Sequence, residues 1–123
     1  MSDARPQRRG QSQRPPRSGE VWWVDFDPTR GREQAKDRPA LVVSSTFHLQ
    51  LTLGELVSVL PMTSVARKGW LHHVPVGSDG TSWVMTEQVR TVSIARFRRP
   101  ADITLSADDL TEVRRALAAM LIV

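Results

Sequence analysis

The 123-residue chain contains no cysteine, which excludes disulfides, thiolate metal sites and thiol catalysis together. No apolar run approaches the ~20 residues that cross a bilayer. The stretch MSDARPQRRGQSQRPPRSG has no apolar core of signal-peptide type, so no secretory signal is expected. A His-Glu-x-x-His pattern, phosphate-loop glycines and a G-x-S-x-G elbow are also missing. These absences argue against metal catalysis, nucleotide-phosphate binding by a glycine loop and an esterase-type serine site. The three histidines are His48, His72 and His73. Neighbours in a strand face opposite ways, so His72 and His73 are not expected to chelate together. What is present is a 40% hydrophobic chain, enough for one domain of ordinary size. The expectation is a small, soluble, cytoplasmic protein with no metal and no cofactor.

The formal net charge of +4 invites a nucleic-acid reading. Its placement argues otherwise. Residues 1–18 carry Arg5, Arg8, Arg9, Arg14 and Arg17 against Asp3 alone, so the remainder is formally neutral. This Pro/Gln/Ser/Arg-rich tail has little to bury and is expected to be disordered. Residues 19–123 form the expected domain. If that body contacts nucleic acid, local arginine placement must do it.

Along the body, Glu20–Phe26 and Pro39–Ser45 read as strands, separated by a polar loop that follows Asp27-Pro28. Leu56–Met62 is a third strand, with Pro61 expected at an edge or bulge. Leu71–Val76 is a fourth. Trp83–Thr86 and Gln88–Ile94 make one bent strand or two short ones, and Ile103–Leu105 a last short one. Ser106 is a helix N-cap with Asp109 three residues on. Leu110, Val113, Leu117, Met120 and Leu121 then share one helical face. The fold class is mainly β with an appended helix: antiparallel strands curled into a small, partly open barrel.

Three clusters carry possible chemistry. In the loop Arg30-Gly31-Arg32-Glu33-Gln34-Ala35-Lys36-Asp37-Arg38-Pro39, Pro39 restricts Arg38 to extended geometry, and a guanidinium matches phosphate bidentately. A solvated loop of paired charges is the commoner meaning of such a composition. Thr63-Ser64 end a strand, where hydroxyls either donate to a phosphoryl oxygen or begin a turn. Glu87-Gln88-Val89-Arg90-Thr91 place charged and amide groups within an expected strand, as a site or as a salt-bridged face.

Taken in order, Gly19-Glu20-Val21-Trp22 with Asp25 and Asp27-Pro28, Gly31-x-Glu33-Gln34, Arg38-Pro39-x-Leu41-Val42-Val43, Val59-x-Pro61-Met62-Thr63-Ser64 and Glu87-Gln88-x-Arg90-Thr91 resemble the MazF/PemK family of toxin endoribonucleases. The resemblance covers most of residues 19–94 and leaves the tail outside. It implies an SH3-like barrel, a homodimer, single-stranded RNA as substrate, and metal-independent cleavage at short sequences. It also implies a cognate antitoxin whose acidic disordered segment occupies the dimer groove. By position, Arg38 and Thr63 match catalytic residues. Glu33 and Gln34 match a substrate loop with a role in proton transfer in some members, and Glu87 and Gln88 a substrate-contacting pair. Arg30, Arg32, Lys36, Ser64, Arg67 and Arg90 complete the expected RNA contacts. Arg32 and Met85 stand where some members have a catalytic histidine and an acidic-role arginine, so the arginine/threonine version of the mechanism is the one implied.

In that version the ribose 2′-OH attacks the adjacent phosphorus, giving a 2′,3′-cyclic phosphate and a 5′-OH. Arg38 and Thr63 stabilise the phosphoryl oxygens. Arginine's pKa exceeds ~12, so Glu33 or Glu87 is a better proton acceptor than Arg38. Trp22, Trp23 and Trp70 are candidate stacking platforms, although at least one of Trp22 and Trp23 must face the core. The alternatives are a non-enzymatic gyrase poison of CcdB type on the same fold, or an inactive RNA- or antitoxin-binding module.

Overall fold

The computed structural model describes residues 14–26, 37–65, 72–77 and 80–121. Among these residues, seven strands form one antiparallel sheet: β1 (Val21–Asp25), β2 (Asp37–Val42), β3 (Leu56–Thr63), β4 (His73–Val76), β5 (Ser82–Met85), β6 (Arg90–Ser93) and β7 (Phe97–Pro100). Helix α1 (Thr46–Leu51) lies between β2 and β3, and α2 (Ala107–Leu121) follows β7. The strand order is β4-β5-β3-β2-β1-β7, with β6 also on β3. The sheet is therefore open, with β4 and β7 at its two ends.

β1 and β3 bury side chains on both faces, which is why they read as nearly continuous apolar runs. Leu41, Leu60, Met62, Val74, Val76 and Val84 pack on one side with Val113 of α2. Trp22, Val24, Ala40, Val42, Val57, Val59, Val92 and Phe97 pack on the other. Neighbouring residues alternate between the two clusters, as the period of a strand requires. The capping prediction for α2 holds: the Ser106 hydroxyl accepts from the Asp109 N–H at 3.0 Å, and Asp109 accepts from the Ser106 N–H at 3.2 Å.

Three expectations change, and an open one is settled. The expected strand at Ile103–Leu105 is irregular chain, and the last strand is Phe97–Pro100. Of the two readings for residues 83–94, two short strands is the one found, β5 and β6 on either side of a 3-10 turn, Thr86–Gln88. Pro61 lies inside β3, buried. There β3 changes partner, from β6 up to Val59 to β5 from Met62, so a missing N–H is tolerated. Helix α1 was not expected. It starts at Ser45, whose hydroxyl accepts from the His48 N–H at 3.0 Å, and His48 Nδ1 lies 2.7 Å from the Ser44 hydroxyl.

The end of the basic tail is tied to the body. Glu20 Oε1 accepts from Arg14 at 2.8 Å, from the Arg17 N–H at 2.9 Å and from the Trp22 indole at 3.0 Å. Pro16 is buried. Burial raises the Glu20 pKa, but these hydrogen bonds and the Arg14 charge prevail and hold it below the ordinary carboxylate value. A depressed folded pKa stabilises the protein above the unfolded value of about 4.3 and loses that contribution as pH falls through the folded one. Glu20→Ala should therefore cost about 1–3 kcal/mol at pH 7, because the buried Trp22 donor loses its acceptor. Denaturation melts should show the gap between wild type and variant narrowing below pH ~4.

Candidate active site

Antiparallel order brings the end of β1, the start of β2 and the end of β3 to one rim of the sheet. The β1–β2 register pairs Val24 with Arg38 and Asp25 with Asp37. Two carboxylates directly opposite repel. Arg98 of β7 answers both, at 3.0 Å from Asp25 and 3.6 Å from Asp37. It thereby ties the end of β1 to the start of β2, the strand that carries Arg38.

The β2–β3 register pairs Ala40 with Pro61. Continued two residues, it aligns Arg38 with Thr63. Strand alternation puts both on the face of the Trp22 cluster, since Ala40, Val42, Val57 and Val59 belong to it. Arg38 is exposed and enters none of the ion pairs among the described residues. The Thr63 hydroxyl accepts from the Val65 N–H at 3.1 Å. That bond makes a turn and, by using an acceptor position, leaves the O–H proton for donation outward. Ser64 follows it, exposed.

Arg90 reaches the same rim. It opens β6 opposite Val59, on the face that Val92 shares with Trp22. Its guanidinium stacks 5.2 Å from the centroid of Phe26, just past β1. Of the tryptophans, Trp22 is fully buried, while Trp23 is half-buried with Arg99 over its ring at 5.2 Å. Stacking of RNA on Trp22 is thus ruled out by burial.

Glu87 and Gln88 lie in the 3-10 turn after β5, whose Trp83 pairs with Thr63. The Gln88 amide donates to Glu87 at 3.0 Å. His73 Nε2 lies 3.3 Å and His72 Nε2 3.8 Å from Glu87 oxygens. Burial raises the Glu87 pKa, yet its own backbone N–H, the Gln88 amide and His73 outweigh this and lower it. The convergence corrects the expectation that His72 and His73 diverge. Strand alternation does not apply, because β4 begins at His73 and His72 precedes it in a turn.

Among the residues expected at the site, Glu33, Gln34, Arg30, Arg32, Lys36 and Arg67, with Trp70, lie outside the described residues. Arg98, His72 and His73 are the residues that the sequence reading missed.

The fold is thus that of a small, mainly β protein with an open antiparallel sheet, whose rim carries an exposed guanidinium, Arg38, that enters no ion pair among the described residues. The family described as PemK-like, MazF-like toxin of type II toxin-antitoxin system matches residues 17–121. The chain belongs to that family. Endoribonuclease MazF9 of Mycobacterium tuberculosis is 34% identical over 109 residues, covering 82% of this chain and 92% of that protein. Endoribonuclease toxin MazF of Escherichia coli K12 is 32% identical over 78 residues, covering 63% and 68%. The MazE–MazF structure (Form-II) from Deinococcus radiodurans superposes with a TM-score of 0.72 at 31% identity, covering 89% of this chain and 97% of that one.

Proposed function

We propose that the protein is the toxin endoribonuclease of a toxin–antitoxin pair and that it cuts single-stranded RNA, mRNA above all, by 2′-OH attack without a metal. The observation that supports this reading is the β2–β3 register, Ala40 on Pro61, which continued two residues would align Arg38 with Thr63. RNA brings its own nucleophile, so the protein must supply only orientation, charge stabilisation and proton transfer. Arg38 neutralises the phosphoryl oxygens and Thr63 donates to one of them. Arg90 and Gln88 contact the flanking RNA, as do Ser64 and the basic residues Arg30, Arg32, Lys36 and Arg67. Glu87 has both oxygens engaged by Gln88, His72 and His73, which suits contact with the RNA beside Gln88 better than proton transfer. Glu33, with Gln34 beside it, is the better general base. Phe47, Leu51, Leu53 and Leu56 are apolar and exposed around α1, which supports a homodimer. An antitoxin with an acidic segment would cover the arginines of the rim. A cytoplasmic location follows from the substrate.

The test is incubation of the purified protein with a long RNA in EDTA, read by primer extension. Discrete cuts at a repeated short sequence, with cyclic-phosphate and 5′-OH ends, are expected. Intact RNA would instead favour a gyrase-type poison or an inactive binding module.

A further inference from the structure

We propose that His72, His73 and Glu87 form a binding site for a transition-metal ion, with Zn2+ as the representative species. The three side chains each offer one ligand atom, and these atoms all lie within 4.8 Å of one another. In a tetrahedral site with ligand bonds of 2.0–2.1 Å, donors stand about 3.3 Å apart. His73 Nε2 stands 3.3 Å from Glu87 Oε2 and His72 Nε2 3.8 Å from Glu87 Oε1, so an ion would draw the donors together by at most about 1.5 Å. The two rings meet nearly at right angles, with centroids 4.9 Å apart, so both imidazoles stand next to the one carboxylate without stacking face to face.

The backbone holds this arrangement in place. Buried Thr86 donates to the His72 carbonyl through its N–H at 3.1 Å and its hydroxyl at 2.6 Å. His73 pairs with Met85 in the ladder, two residues before Glu87. The turn bearing the carboxylate is thus pinned to the segment bearing the imidazoles before any ion arrives. His73 is buried, whereas His72 and Glu87 are partly exposed, which gives an ion a path in and leaves a fourth position for water. Two imidazoles with one carboxylate suit zinc-class ions and disfavour Mg2+, which prefers all-oxygen shells. Occupancy ties down Glu87, so the ion also acts as a brake on cleavage. That consequence, unlike binding itself, rests on the RNA-contact role proposed for Glu87.

Thermal denaturation and calorimetry of the untagged full-length protein with Zn2+, Mg2+ or EDTA test the site. Zn2+ well above its Kd should raise Tm by roughly 5 °C or more, and Mg2+ should not. His72→Ala, at the partly exposed ligand, should weaken Zn2+ affinity by about 10–100-fold or more. An unmoved Tm with Zn2+, or an equal rise in His72→Ala or with Mg2+, overturns the site. In the cleavage assay Zn2+ should slow the wild type but not His72→Ala, and EDTA should restore the rate. A bound ion with undiminished cleavage overturns the role of Glu87 in RNA contact and not the site. No cleavage under any condition overturns the proposed activity instead.

Discussion

Arg38→Ala should lower single-turnover RNA cleavage by about 10²–10³-fold, the cost of removing one preorganised donor from a transition state that gathers negative charge. The fold should barely notice. Arg38 is exposed, and its strand is held by backbone pairing with Val24 and by the Arg98 clamp on its neighbour Asp37. Its loss should therefore change unfolding free energy by no more than about 0.5 kcal/mol. Arg38→Lys should recover only part of the rate, because an ammonium cannot make the planar two-point contact with phosphate. Thr63→Val should also slow cleavage. If the two groups hold the same phosphoryl oxygens, the double variant will lose less than the product of the single losses. An Arg38→Ala protein that folds normally and cleaves at near wild-type rate would remove the rim as the active site.

The parts of this molecule that were legible in the sequence are those with local causes. Apolar runs between turn residues mark β1 and β3, and the Ser106–Asp109 spacing marks the start of α2, because each signal is satisfied within a few residues. Helix α1 has six residues and buries none of them, so no periodicity announces it. β7 reads Phe-Arg-Arg-Pro, which resembles a loop until Asp25, Asp37 and Trp23 are seen to receive its two arginines. Those partners lie some seventy residues away in the chain. The same limit applies at the site. Motif order pointed to Arg38 and Thr63, and Pro39 explained the extended backbone of Arg38. Nothing local shows that Arg90 will stack on Phe26, or that one carboxylate will face two imidazoles. Only strand register brings those groups together, and register depends on the whole sheet.

Trp22→Ala should be the most damaging single truncation of the fold, at about 3–5 kcal/mol. Adjacent tryptophans must face opposite ways, but the sequence leaves open which one is inside. The structure puts Trp22 at 0% exposure, edge-on to Phe97 with ring centroids 5.8 Å apart. Trp22 also joins three elements. Its backbone pairs with Ala40 of β2 and Pro100 of β7, and its indole N–H reaches Glu20, where the tail is held by Arg14. Removing the side chain opens a cavity in the cluster beneath the rim and takes a partner from Glu20. Domains of this size have a stability of about 5–15 kcal/mol, so the variant should melt roughly 15–30 °C lower and lose cleavage at a correspondingly lower temperature. Trp22→Phe retains most of the packing and loses only the indole N–H, so it should cost about 1–3 kcal/mol. Trp23→Ala, on the half-buried side chain, should cost less than Trp22→Ala. Urea denaturation of the three variants gives the order directly. A Trp22→Ala loss below about 1 kcal/mol would mean that the Phe97 cluster does not support the rim on which Arg38 and Thr63 stand.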